Sequence, residues 1–121
     1  MQSKINELKL SDEGCTVSWL HRGKKITLRY GKPVLAEVFY EGCAVILIEP
    51  MKYAPDNAVI YYGNGILRTR IENPLKKKGA ICFKDIYMEG NKLKLISTTG
   101  AMDFGCFLDQ DGSILEVREA R

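Results

Sequence analysis

Apolar and polar side chains alternate along this chain in short segments, with Gly, Asn and Asp at most of the breaks between them. Alternation with a period of two is typical of a β-strand that is covered on one face. In the segment 15–20, Val17 and Trp19 share one face, while Thr16 and Ser18 share the other. No stretch of about ten residues has the 3.6-residue period of an amphipathic helix. The pattern therefore predicts an all-β protein.

The breaks divide the chain into about ten short strands, which we expect to pair as consecutive antiparallel neighbours in a meander, a sandwich or a small barrel. Segments 15–20 and 25–30 form one predicted hairpin. Segments 58–62 and 66–71, joined by a Gly-Asn-Gly turn, form another. The unbroken apolar run 43–48 predicts a central strand that is covered on both faces. With 121 residues, the chain is expected to fold as one domain over 1–121.

Composition narrows the class of protein only slightly. Apolar residues make up 45% of the chain and the net charge is +3, with the basic excess confined to residues 1–80. The four cysteines form no Cys-x-x-Cys pair, so they predict reduced, buried thiols rather than a metal site. Two disulfides in an exported form are the alternative. The polar start of the chain has no signal-peptide character and no run is long enough to cross a bilayer, so we expect a cytoplasmic protein.

Candidate catalytic chemistry is sparse. His21 is the single histidine, and we expect it to be a solvated turn residue, because a general base needs an orienting partner. Asp109 and Asp111 begin a sequence like that of a calcium loop, but Ala120 stands where the twelfth-position Glu is needed. A simple turn is therefore predicted there. We expect no metal, no cofactor and no enzymatic activity.

A basic set gives one candidate binding surface. Strand alternation predicts that Arg68 and Arg70 share a face, and the nearby loop carries three consecutive lysines. Together these side chains could contact phosphates, with Tyr61 or Tyr62 stacking on bases. The alternative interpretation is a solvated loop that protects a sheet edge. The predicted nucleic-acid-binding set is Arg68, Arg70, Lys76, Lys77 and Lys78.

Two parts of the chain resemble a pattern in small bacterial proteins. The first is the apolar strand 44–48 ending in Glu49-Pro50, followed by the strand–turn–strand unit 57–72. The second is the pair of segments 93–100 and 108–115. The unit is similar to a β-propeller blade, so the resemblance implies blade-like hairpins. Some small proteins of this kind are immunity proteins, which neutralise a partner toxin used in competition between bacteria.

That resemblance implies a cognate protein toxin as the partner. If the toxin were a nuclease, an acidic surface could cover its basic substrate groove and speed association. The C-terminal third supplies carboxylates for such a surface, although for any one of them ordinary surface charge is the favoured interpretation. The predicted partner-binding set is Glu89, Asp103, Asp109, Asp111 and Glu116.

The sequence thus favours a protein-binding module that occludes the active site of a toxin. A nucleic-acid-binding β-barrel that uses the basic set is the main alternative. An enzyme whose carboxylates meet only in the fold, and an assembly subunit that associates through a strand edge, also remain open. The oligomeric state is not determined by the sequence. Trp19 shares a face with apolar neighbours, so we expect it in the core rather than at an interface.

Overall fold

The computed structural model describes residues 4–39, 42–50, 52 and 54–120, and within them eleven β-strands form three antiparallel sheets. Sheet 1 contains β1 to β3, sheet 2 contains β4 to β7, and sheet 3 contains β8 to β11. The strands are β1 (Ile5–Leu10), β2 (Thr16–His21), β3 (Lys24–Arg29), β4 (Leu35–Val38), β5 (Ala44–Ile48), β6 (Ala58–Tyr62), β7 (Leu67–Ile71), β8 (Cys82–Glu89), β9 (Lys92–Thr98), β10 (Asp103–Leu108) and β11 (Ile114–Ala120).

Every sheet is a meander of consecutive strands, because short turns join each strand to the next and leave only antiparallel pairing open to them. The all-β prediction is confirmed. Among the described residues the three sheets do not close into a barrel, and the helical structure is limited to 3₁₀ turns such as Lys76–Lys78. Gly105, a glycine inside β10 where a bulge would be expected, pairs regularly with Ile96 and Arg118. The register shift of β10 lies at Phe107–Leu108 instead.

Sheet 2 is the middle layer and has an apolar core on each side. Val45 and Leu47 of β5 pack toward sheet 1, in a cluster that includes Trp19. Ile46 and Ile48 pack toward sheet 3. All five residues of β5 are buried, which confirms the prediction of a central strand covered on both faces. Trp19 is 1% exposed and confirms the expectation that it belongs to the core.

Two buried asparagines tie sheet 2 to sheet 3. The Asn57 carboxamide accepts the N–H of Phe83 at 2.7 Å and donates to the Phe83 carbonyl at 2.8 Å. Asn73 accepts the Ser97 hydroxyl at 2.9 Å and donates to the Pro55 carbonyl at 3.2 Å. Among the described residues, no buried side-chain N or O atom lacks a hydrogen-bond partner. This matters because an unpaired buried polar group costs about 1–3 kcal/mol.

The stacking leaves two sheet faces uncovered by any other sheet. One is the face of sheet 1 that points away from sheet 2, and the other is the corresponding face of sheet 3. In sheet 1 this surface carries Lys9, Lys25 and Arg29 together with the hydroxyls of Thr16, Ser18 and Thr27. We call it the sheet 1 outer face, and its counterpart the sheet 3 outer face. The two faces differ in the chemistry they offer a partner.

Candidate functional site

The sheet 3 outer face is the candidate interaction surface, because four paired strands present it as one continuous plane. Register fixes its members, since residues directly opposite each other on paired strands share a face. It comprises Cys82, Lys84, Asp85, Tyr87, Glu89, Lys92, Lys94, Ile96, Thr98, Asp103, Gly105, Phe107, Glu116, Arg118 and Ala120.

Aromatic rings and cationic side chains lie together at its centre. The ammonium of Lys94 is 5.9 Å from the ring centroid of Tyr87 and 5.7 Å from that of Phe107. The guanidinium of Arg118 lies 5.3 Å from the Phe107 ring on the other side. Phe107 is only 6% exposed although it points outward, because the stems of these two cations cover it. Tyr87 is 49% exposed and stands beside them.

Gly105 makes this arrangement possible. A Cβ at Gly105 would lie 2.9 Å from Cδ of Lys94, so the missing side chain lets the Lys94 stem lie flat on the sheet. A glycine inside a strand often marks such a close approach. The centre of the sheet 3 outer face is therefore shallow, with Tyr87, Arg118 and charged residues around it. Tyrosine and arginine are, with tryptophan, the side chains enriched at the energetic centres of protein interfaces.

Each predicted acidic residue on this face has a basic partner. Glu89 pairs with Lys94 at 3.0 Å, and Asp103 pairs with Lys84 at 2.6 Å. The hydrogen bond from Lys84, assisted by Thr98, lowers the pKa of the Asp103 carboxyl.

Glu116 forms a two-bond fork with Arg118, which raises the pKa of that guanidinium. With Asp85 and Lys92 included, the face carries four acidic and four basic side chains. It is therefore an electrostatically mixed surface rather than an acidic one.

The other two predicted acidic residues lie in the β10–β11 turn, next to this face. Oδ1 of Asp109 accepts the N–H groups of Asp111 and Ser113, both at 2.9 Å. That geometry confirms the prediction of a simple turn, because Asp side chains commonly close turns in this way. Asp111 is exposed. Among the residues that the structure describes, no three His, Cys, Asp or Glu side chains are grouped as a metal would require.

The predicted basic set is divided between two sides of sheet 2. Arg68 lies 5.7 Å from the Phe39 ring, which belongs to the core between sheets 2 and 3. Arg70 instead binds Glu49, beside tyrosines that pack toward sheet 1. A register shift at Ile60–Tyr61 separates the two arginines. The prediction that they share one face is wrong, because alternation is interrupted at this irregularity.

The lysines of the set also differ from one another. Lys76 pairs with Asp56 and Glu72, both at 3.1 Å, and these carboxylates raise the pKa of its ammonium. Lys77 and Lys78 are exposed in the 3₁₀ turn. Lys76 and Arg70 are thus held by carboxylates of this chain, so the structure does not present the five residues as one basic surface.

Sequence reasoning missed a buried ionic cluster where β5 ends. The Glu49 side chain is 5% exposed, and its two oxygens accept Nη1 of Arg70 at 2.6 Å and the Tyr30 hydroxyl at 2.9 Å. The Tyr61 hydroxyl lies 3.1 Å from that of Tyr30. Burial is the main reason that the pKa of Tyr30 is raised, and its bonds to Tyr61 and Glu49 add to the effect. The signal available in the sequence was an acidic residue placed directly after the apolar run.

His21 is the last residue of β2 and is partly buried, so the expectation of a solvated turn residue is wrong. Its ring lies against Gly63, where a Cβ would approach Cδ2 of His21 to 2.6 Å. Indole Nε1 of Trp19 donates to the Gly63 carbonyl at 2.6 Å. His21 also lines a cleft of about 490 Å³, which lies between the hairpin β2–β3 and the hairpin β6–β7.

No disulfide joins the four cysteines, as the prediction of reduced thiols required, but only half of them are fully buried. Cys82 and Cys106 are buried, and desolvation raises the pKa of the Cys106 thiol to about 11. Cys15 and Cys43 are partly exposed, which corrects the expectation of four buried thiols. Among the described residues, no helix is long and apolar enough to cross a membrane.

Comparison with known proteins identifies a similar fold but no family. No protein-family model matches the sequence, and no curated protein matches it. A chain of the solved "Structure of Tne2 in complex with Tni2" is similar to this one with a TM-score of 0.70 and 12% sequence identity. The similarity covers 88% of this chain and 77% of that chain. At this identity, the likeness is one of fold.

Proposed function

We propose that this chain is a protein-binding module that neutralises a toxin, as an immunity protein does, by covering the toxin's functional surface. The observation that carries the proposal is the sheet 3 outer face, an uncovered plane with Tyr87, Phe107 and Arg118 at its centre. The solved structure of similar fold supports protein binding, since that structure is a complex of two proteins, Tne2 and Tni2. The sequence resemblance to small bacterial immunity proteins points the same way.

The dimensions of this face indicate what else takes part. Four strands of six to eight residues span about 19 by 23 Å, or roughly 440 Å². A stable interface buries about 800 Å² on each partner. The flanking turns would have to supply the remainder. We therefore add Asp109 and Asp111 of the β10–β11 turn to the proposed interface, in which the sheet face itself already includes Glu89.

A toxin would have to match individual charged groups of this surface, because the surface has no large net charge of one sign. The ion pairs of Glu89, Asp103 and Glu116 satisfy those carboxylates in the free protein, so a basic partner must compete with Lys94, Lys84 and Arg118. Asp111 is exposed and has no such partner among the described ion pairs. Within the proposed interface it is the carboxylate best placed to steer a basic toxin, through an effect that salt weakens.

Capture with the tagged protein from lysate of the native organism, followed by mass spectrometry and light scattering, tests the proposal. We expect one stoichiometric protein partner. Tyr87→Ala and Arg118→Ala should each weaken its binding at least about ten-fold, the effect of losing roughly 1.4 kcal/mol at an interface centre. Arg29→Ala is the matched control, because it removes an arginine from the sheet 1 outer face. Its effect should be below about two-fold.

Two outcomes would contradict the proposal. Binding that is lost in Arg29→Ala but unaffected by Tyr87→Ala and Arg118→Ala would place the interface elsewhere. Recovery of RNA or DNA instead of a protein, with retention that falls steeply as salt rises, would favour nucleic-acid binding.

Charge reversal at Asp111 should slow association with a basic toxin. Asp109 is less suitable for that test, because its carboxylate closes the turn.

A further inference from the structure

The cleft beside His21 concentrates positive charge on one wall. His21 continues the inward alternation of Val17 and Trp19, so its side chain points toward sheet 2. Lys24 is its directly opposite neighbour on β3 and shares that face, and Arg22 stands in the turn between them. The described residues that line the cleft include no Asp or Glu. Such a wall attracts an anion, and neighbouring cations of the same hairpin strengthen the field.

The backbone holds this wall in an unusual conformation. Arg22 has φ 53° and Gly23 has φ 77°, so both central residues of the two-residue turn are left-handed. Asn, Asp or Gly normally occupies the first of these positions, because an ordinary side chain is strained there. An arginine in that conformation is the kind of outlier that clusters at ligand sites. This turn lies at the rim of the cleft.

The opposite wall is equally fixed. Gly63 lets the chain approach the His21 ring more closely than any residue with a Cβ could, and Trp19 holds the Gly63 carbonyl. Asn64 follows it, and its carboxamide oxygen accepts the N–H of Ile66 at 3.0 Å. The Asn64 NH₂ group can then donate to a ligand. Ile26 and Tyr62 add apolar surface to the same cleft.

We infer that this cleft is a binding site for a small molecule that carries a phosphoryl group. Lys24 and His21 supply the donors for the anionic oxygens, with Arg22 at the rim, Asn64 on the facing wall and Ile26 beside the uncharged part of the ligand. A volume of about 490 Å³ exceeds what a lone phosphate needs and suits a small organic molecule. The site is separate from the sheet 3 outer face and does not depend on the proposed function.

A titration of ¹⁵N-labelled protein with inorganic pyrophosphate tests this inference, with chloride at equal ionic strength as the reference. We expect saturable amide shifts at Arg22, Gly23, Lys24 and Asn64. Lys24→Gln should weaken binding about ten-fold, which corresponds to the loss of one hydrogen bond between charged groups. Lys25→Gln is the matched control, since Lys25 lies on the same hairpin but points to the sheet 1 outer face. It should change the affinity less than two-fold.

A second variant, His21→Gln, keeps the test independent of any folding defect at Lys24, and it should also weaken binding. Citrate distinguishes a phosphoryl site from a general anion site. Citrate binding as tight as that of pyrophosphate would overturn the assignment to a phosphoryl group. Shifts that do not saturate, or equal losses in Lys24→Gln and Lys25→Gln, would overturn the site itself.

Discussion

Of the ion pairs between described residues, Glu49–Arg70 should be the most costly to break from one side. The proposed perturbation is Arg70→Met, which keeps a long apolar stem but removes the guanidinium. Glu49 would then remain as a carboxylate that is 5% exposed, with the Tyr30 hydroxyl as its remaining side-chain donor among the described bonds. A buried charge deprived of its counter-ion is strongly destabilising, because water cannot replace the lost interaction.

The expected magnitude follows from the exposure of the two partners. Removing one member of a buried pair costs about 3–5 kcal/mol. Arg70 is 38% exposed, so solvent reaches part of the pair and the lower end of that range applies. We expect a loss of about 3 kcal/mol, which for a chain of this size lowers Tm by roughly 10 °C. Glu49→Gln removes the charge itself and should cost only about 1–2 kcal/mol.

Urea denaturation followed by tryptophan fluorescence measures these changes directly. Trp19 is the only tryptophan and is 1% exposed, so its emission reports the loss of the core between sheets 1 and 2. The double variant Arg70→Met with Glu49→Gln should recover about 2 kcal/mol relative to the sum of the single changes. Arg118→Met is the surface control. Its partner Glu116 is 38% exposed, and the cost should be about 0.5 kcal/mol.

A small effect of Arg70→Met, or additive losses in the double variant, would contradict the dependence of Glu49 on Arg70. If Arg70→Met costs no more than Arg118→Met, Glu49 does not depend on Arg70. If the double variant loses the sum of the two single losses, the two side chains are not coupled in the folded state.

Three further predictions concern pH, packing and thiol reactivity. Since the pKa of Tyr30 is raised in the folded state, that state keeps a proton that the unfolded chain loses near pH 10. Stability should therefore fall as pH rises above about 10, and Tyr30→Phe should flatten the fall in alkaline urea titrations. Gly63→Ala should cost about 1–3 kcal/mol in thermal denaturation, because its Cβ meets the His21 ring. Gly105→Ala should cost less, because a flexible Lys94 stem can move aside; equal losses would contradict this. Under native conditions a thiol reagent should modify two cysteines quickly and two only on unfolding, and four equal rates would argue against the burial seen. The fast pair is Cys15 and Cys43, and the slow pair is Cys82 and Cys106.

The candidate surface could be predicted in part from the sequence. The sequence indicates Glu89, Asp103 and Glu116 only as acidic residues of the C-terminal third, and the fold places them on one sheet face. Their partners Lys84, Lys94 and Arg118 could not be assigned, since each pairing depends on which strands are neighbours and in what register. For that reason the mixed charge of this face could not be predicted from the sequence. The charge of a sheet face is the sum over all the side chains that the paired strands place on it, so it is known only once the strand pairing is known.

The sequence by itself determined the secondary structure, the turns and the double burial of β5. These follow from local rules, because successive side chains of a strand point in opposite directions and a run that is apolar throughout must be covered on both sides. Only the tertiary structure decided that three meanders stack in layers and that Arg68 and Arg70 lie on opposite faces of sheet 2. It also decided that the Glu49 carboxylate is buried beside Arg70. Each of these outcomes depends on contacts between residues far apart in the chain. No local pattern of hydrophobic and polar positions encodes which distant strand supplies the covering surface or the opposite charge.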